Sequence, residues 1–377
     1  MADSVYAYAP GRTEIAGNHT DHQGGRVIAA AVSCGIEMEL SSRADAKARI
    51  ESEGFAPFEI DIAETAARFE ERNTTASLVR GVVAGLRAAG FNVAGFDARV
   101  KSTVPSGGGL SSSAAFELAL ASGLVALTQE KAEAVSPVEL ARIGQAAERD
   151  YFGKPCGLMD QLAVALGGVA AIDFADERQP AIERIPFDFE QHGLALCLID
   201  THCDHSRYTE AYAQVALDMN AVASLLGAQK LSQVPEGEFF ERFEEVRHQL
   251  GDVAALRGLH YYHESHLVDA RVQALRSGDV EAFLAYTRQS GASSAQYLQN
   301  VSTYDRMTQP AMIALALADR LLQGHGACRI HGGGFGGTVQ AFVPLDDLDR
   351  FAGGIDAHLG VGSCKSFHID SQGAHVR

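Results

Sequence analysis

Polar and apolar residues alternate over residues 96–104: Phe96, Ala98, Val100 and Val104 share one parity, Asp97, Arg99, Lys101 and Thr103 the other. A period of two predicts a strand with one buried face. Residues 112–127 are apolar nearly all round and predict a mostly buried helix. Phe239, Phe240, Phe243, Val246 and Leu250 return at helical spacing with charges between them, within a stretch, 205–300, that is largely helical in pattern. Apolar runs at 193–199 and 337–343 predict buried strands. Strand and helix runs interleave without a regular βαβα rhythm, which favours an α+β fold over a doubly wound parallel sheet. A charged, proline-containing stretch within 175–190 suggests a boundary, giving an N-terminal domain over 1–185 and a C-terminal domain over 186–377.

Composition narrows the class. The chain has 377 residues, 46% of them hydrophobic, enough for a sizeable core and incompatible with disorder of the whole chain. Its net charge of −17 argues against non-specific binding to nucleic acid or anionic membrane. The six cysteines form no CxxC pair and read as reduced thiols. The N-terminal segment has no basic start and no apolar h-region, and no apolar run approaches a bilayer span, so a soluble cytoplasmic protein is expected.

Four segments carry candidate chemistry. Pro105-Ser106-Gly107-Gly108-Gly109-Leu110-Ser111-Ser112-Ser113 follows a strand and opens a helix. Its glycines allow close backbone approach, the helix start favours anions, and the hydroxyls add donors to phosphate and an oxygen ligand for a hard cation. No Lys follows the glycines, so this is not a Walker A loop. Gly332–Gly337 matches GxGxxG, but a strand-like run follows it where a dinucleotide site needs a helix, so a tight loop packing on the other phosphate loop is the better reading. Gly11–Gly25 gathers Arg12, Asn18, His19, Thr20, Asp21, His22 and Gln23, as recognition of a polyhydroxylated ligand requires; His19, Asp21 and His22 leave a metal site open as the alternative. Glu148 and Asp160 could serve as cation ligand and catalytic base, although Glu148, read alone within Glu148-Arg149-Asp150, looks like a surface acid. His260, His263 and His266, three apart on one helix face, are expected to be solvated.

Taken in order, these segments resemble the GHMP family of small-molecule kinases, and within it the branch that phosphorylates galactose at C1. The likeness is carried by Gly11-Arg12, His19-Thr20-Asp21 and Gly25, by the serine-rich loop, by Gly157-Leu158-Met159-Asp160-Gln161, by Gly332–Gly337 and by Arg80-Gly81-Val82-Val83. It implies a ribosomal S5 domain 2-like N-terminal α/β domain, a ferredoxin-like C-terminal α+β domain and an active site in the cleft. It also implies roles. Asp160 and Arg12 would be catalytic. Asn18, His19, Thr20, Asp21, Gly157 and Tyr212 would contact the sugar. Gly107, Gly108, Gly109, Leu110, Ser111, Ser112 and Ser113 would cradle the phosphates of ATP, the co-substrate. Ser113 and Glu148 would hold Mg²⁺. Asn18 and His22 depart from the pattern, which has Glu and Tyr there. Asn in place of Glu no longer repels a carboxylate, and a protonated His22 would attract one, so galacturonate is the alternative substrate. A non-catalytic ATP- and sugar-binding regulator is the reading from a different class.

Overall fold

The structure, a computed structural model, describes residues 4–105, 108–128, 135–203, 208–303 and 305–377. In chain order the elements are β1 (Val5–Ala16), β2 (Arg26–Ser42), β3 (Lys47–Ser52), β4 (Phe58–Asp61), α1 (Thr75–Ala88), β5 (Phe96–Ser102), α2 (Ser112–Thr128), α3 (Pro137–Ala146), α4 (Met159–Leu166), β6 (Val169–Asp173), β7 (Ala181–Ile185) and β8 (Leu194–Asp200). There follow α5 (Thr209–Leu225), α6 (Glu236–Glu241), α7 (Phe243–Leu250), α8 (Asp252–Ser277), α9 (Val280–Ser293), α10 (Pro310–Leu322), β9 (Ala327–Ile330), β10 (Thr338–Pro344), α11 (Leu348–Leu359), β11 (Cys364–Phe367) and β12 (His375–Val376). The alternating run is strand β5, the apolar run after the phosphate loop is helix α2, and the two buried runs are β8 and β10, as expected. The phenylalanine-rich helix is broken at Arg242 into α6 and α7.

The strands form two sheets. One has eight strands, ordered β12-β1-β2-β5-β3-β4, with β6 on β2 and β7 on β6; the other is ordered β11-β8-β10-β9. Pairing is antiparallel except between β3 and β5, the mixed α+β character expected from the sequence. The C-terminal strand β12 returns to pair with β1, so the chain's end closes the first sheet.

Strand β1 places the candidate chemistry. Up to Ala9, buried Val5, Ala7 and Ala9 alternate with more exposed residues; from Gly11 to Ala16 every residue is buried. The change coincides with a register shift between Pro10 and Gly11, where the partner on β2 jumps from Gly35 to Val32. Such a bulge re-aims the side chains that follow it. Beyond it β1 is covered on one side by α2 and α4, and it meets α8 on the C-terminal half. Helix α2 is buried over Ala114–Val125, consistent with its apolar perimeter.

Polar residues in so enclosed a strand need partners. Glu14 pairs with Arg329 of β9 at 2.6 Å, with Arg329 fully buried. Beside it Glu264 and Arg271 of α8, both fully buried, pair at 2.5 Å; Glu264 also accepts from the Gly17 amide at 3.0 Å and Arg271 donates to the Ile15 carbonyl at 3.2 Å. Burial pushes the Glu264 carboxyl up, but Arg271, His260, Arg329 and the Gly17 amide together outweigh it and hold it down at about 2. Its stabilising contribution is therefore complete above the ordinary carboxylate value and fades only as pH falls towards about 2. Glu264→Ala leaves Arg271 buried without its partner and is expected to cost about 3–5 kcal/mol in urea unfolding.

Candidate active site

The centre of the site is the contact between Arg12 and Asp160. Arg12 Nε lies 2.7 Å from Asp160 Oδ1 and Nη2 2.7 Å from Oδ2, a bidentate fork. Arg12 follows the bulge in β1 and reaches α4, where Asp160 sits in the first turn and the helix dipole favours its charge. Burial pushes the Asp160 carboxyl up, but the Arg12 guanidinium and the Ser111 hydroxyl outweigh burial and hold it below the usual carboxylate range. Arg12 also donates through Nη1 to the Gly109 carbonyl at 2.5 Å, and its own amide donates to the Leu110 carbonyl at 3.1 Å. One residue thus fixes both the carboxylate and the phosphate loop.

Gly107 lies outside the described residues. Gly108 and Gly109 lead into Leu110, whose side chain is buried, and Ser112 is exposed at the start of α2, whose first amides have no intrahelical acceptor. Ser111 donates its hydroxyl to Asp160, a contact that sequence reasoning did not anticipate. Ser113 donates to Glu148 Oε1 at 2.9 Å. Glu148 is not a surface acid: it is 2% exposed, in the π-turn 147–152 that continues α3, a distortion frequent at functional sites. Lys154 donates to the same oxygen at 2.9 Å, and Gln161 bridges Glu148 and Glu117 at 2.9 and 3.1 Å. Glu117 was missed, although it lies four residues after Ser113 and so on the same face of α2. Burial, and then Glu148, push its carboxyl well above the ordinary range.

The sugar-loop residues divide into two groups. His19, Asp21, Gly157 and Tyr212 come together beside Asp160. The Tyr212 ring packs on His19 with centroids 5.4 Å apart, half-exposed. A Cβ on Gly157 would lie 2.7 Å from Asp21 Oδ2, so any larger residue there would push that carboxylate from its place. Thr20 and Asn18 are fully buried with their side chains turned to the protein. The Thr20 hydroxyl spans the Gly17 and Arg26 carbonyls at 3.0 and 2.7 Å. The Asn18 amide donates to the Gly332 carbonyl at 2.5 Å and accepts from Asn300 at 2.8 Å. His260, expected to be solvated, is fully buried because α8 packs it against the Asn18 carbonyl at 2.9 Å and the Ser293 hydroxyl at 2.8 Å; His263 is half-buried and His266 exposed.

Neutral histidines line the loop. Burial brings His19 down to about 4 and, with His19 beside it, His22 down to about 3. His19 Nδ1 lies 3.2 Å from His22 Nε2, and its other nitrogen contacts the Gly333 carbonyl at 3.0 Å. Burial, reinforced by Glu14, pushes the Asp21 carboxyl up to about 6. The third glycine loop lies between β9 and β10, with a strand on either side as a dinucleotide site would not have. His331 at its start joins Thr13 at 3.0 Å to Thr338 at 2.8 Å, and Thr338 reaches the Gly108 carbonyl at 3.5 Å, so this loop does back the phosphate loop.

Comparison with known proteins agrees with this geometry. Residues 77–168 match the GHMP kinases N terminal domain, and residues 2–41 match the galactokinase galactose-binding signature. The chain is 33% identical over 368 residues to a galactokinase of Streptomyces coelicolor, covering 97% of this chain and 90% of that one. It is 30% identical over 357 residues to a galactokinase of Glaesserella parasuis, covering 92% and 87%. Among solved structures, Lactococcus lactis galactokinase complexed with galactose superposes with a TM-score of 0.82 at 23% identity, covering 100% of this chain and 95% of that one. Methanococcus jannaschii mevalonate kinase gives 0.66 at 13%, covering 97% and 98%. Fold and phosphate loop together define a GHMP kinase. Within that class, the chain belongs to the galactokinase family.

If the ionised Asp21 carboxylate accepts sugar hydroxyls, kcat/KM for the sugar should rise with pH through about 6, where that group loses its proton. Asp21→Asn should lower kcat/KM and abolish that acid limb. A limb of unchanged midpoint in the variant would assign it to another group.

Proposed function

We propose that this chain is an ATP-dependent galactose 1-kinase, transferring the γ-phosphoryl group of ATP to the C1 hydroxyl of D-galactose to give galactose 1-phosphate and ADP. The observation that carries this is the Arg12–Asp160 fork, set between the phosphate loop through Ser111 and Gly109 and the sugar loop through Asp21. Residues 1–185, joined by the returning strand β12, form one domain and the rest of 186–377 the other, with the sugar in the cleft between them, and the enzyme works in the cytoplasm. In support, all six cysteines are free and, among the described residues, no helix is long and apolar enough to cross a membrane.

Phosphoryl transfer passes through a loose transition state, so catalysis is mostly positioning and neutralisation of charge. Asp160, kept ionised, accepts a hydrogen bond from the C1 hydroxyl and takes its proton as the new P–O bond forms. Its lowered pKa makes it a weak base, which suits a proton that leaves late. Arg12 holds that carboxylate in place and stabilises charge on the transferred group. The phosphates rest on residues 107–113 at the start of α2. His19, Asp21, Gly157 and Tyr212 form the sugar pocket, while Asn18 and Thr20 shape it from behind.

The donor set fits Mg²⁺. Ser113 and Glu148 offer hard oxygens, an ammonium already rests on Glu148, and Glu117 Oε1 beside it is buried without a partner among the described residues. Ser113 and Glu148 would hold the ion. When bound, it supplies charge neutralisation and a template for the phosphates.

Galacturonate is disfavoured by the same loop. A uronate needs a cation beside its carboxylate, but both histidines are neutral near pH 7 and the ionised group there is Asp21. A non-catalytic regulator is disfavoured because the fork keeps Asp160 ionised between the two loops, which binding alone does not require.

With MgATP in a coupled ADP-release assay, D-galactose should be turned over in clear preference to D-galacturonate. Asp160→Ala should lower kcat by roughly a thousandfold or more with the fold intact. Normal turnover in a soluble Asp160→Ala protein sinks the assignment, and preference for galacturonate renames the substrate.

A further inference from the structure

Lys154 has no part in the roles described so far, yet its ammonium lies at the heart of the proposed metal position. Nζ is 2.9 Å from Glu148 Oε1, the oxygen that also accepts from Ser113. The placement is built by the backbone. The π-turn ends at Gly153, in the left-handed region at φ 93°, and the amides of Gly153 and Lys154 both donate to the Glu148 carbonyl, at 3.0 and 3.2 Å. The chain is thereby folded back so that Lys154 reaches over its own Glu148. The two partners differ sharply: the Lys154 side chain is 58% exposed and Glu148 2%. Glu148 is fixed and needs a cation; Lys154, on a flexible four-carbon stem in a segment without regular structure, is free to leave.

A divalent ion on Ser113 and Glu148 would repel an ammonium at hydrogen-bond distance from the same oxygen. Without the ion, an unpaired Glu148 would repel the phosphates of ATP. We propose that Lys154 is the resident counter-cation of Glu148, displaced by Mg²⁺ when metal-bound ATP enters. Lys154 thus sets how strongly nucleotide binding depends on metal. It is a positioning residue, acting through Glu148, and the inference rests on Glu148 being the metal position. Once displaced, the ammonium has the ATP phosphates and Asp160 as its neighbouring anions, so its charge stays within the site.

The test is the dissociation constant of ATP measured calorimetrically in EDTA and in excess Mg²⁺, taken as a ratio. In Lys154→Met, binding in EDTA should weaken while binding with Mg²⁺ changes little. The ratio should rise by about tenfold or more, as expected for one uncompensated charge beside a charged ligand. Lys154→Arg, which keeps the charge, should restore the ratio towards wild type. A merely structural role would weaken both measurements alike and leave the ratio unchanged, which overturns the proposal. In Glu148→Gln the ratio should fall below that of the wild type. An unchanged ratio in Glu148→Gln sinks the metal position, and the exchange with it. An altered ratio there with an unchanged one in Lys154→Met overturns the exchange alone.

Discussion

Three consecutive buried polar side chains on β1 hold the site together. Arg12 grips Asp160 and the phosphate loop, Thr13 meets His331 and Gln340 beneath the third glycine loop, and Glu14 meets Arg329 on the C-terminal half. A strand carrying such a run would be costly to bury unless every group were matched. The matching residues come from α4, β9, β10 and the loops between, so the strand can sit in place only when the two halves of the molecule are correctly apposed. The polar contacts cost desolvation and return geometry: they fix which loops face one another.

The same logic extends to the sugar loop. Asn18 and Thr20 spend their hydrogen bonds on the protein and hold the turn that presents His19 and Asp21. His260 and Glu264 of α8 receive that turn from below, on the Asn18 carbonyl and the Gly17 amide. A turn held at both an amide and a carbonyl is rigid, and here the rigidity comes from a helix more than two hundred residues further along the chain.

Much of this was legible in the sequence. Strand β5, helix α2 and strands β8 and β10 follow from the period and length of their apolar runs, and the four motif segments converge on one site. Local pattern could not show pairing across long separations. Asn18 sits among polar residues that read as hydroxyl-binding and reads as one of them; only Asn300 and Gly332, distant in the chain, turn its amide inward. Glu148 looks like a surface acid because its neighbours Arg149 and Asp150 are exposed, while a π-turn rotates it into the interior. His260, in a series of histidines three apart on one helix face, reads as solvated, and its tertiary partners, Ser293 and the Asn18 carbonyl, override that reading.

The fork also shows what an arginine supplies at position 12. Its guanidinium makes two bonds to Asp160 and a third to the Gly109 carbonyl. A lysine offers a point charge and cannot satisfy the carboxylate and the loop carbonyl with the same geometry. Losing the second carboxylate bond would let Asp160 rotate and let its pKa climb, since burial pushes it up and only its partners hold it down. The phosphate loop would lose its anchor in the same step. The charge state of Asp160 and the position of the glycine- and serine-rich loop are therefore set by one side chain, which in the proposed reaction would bring the hydroxyl and the phosphoryl group into line.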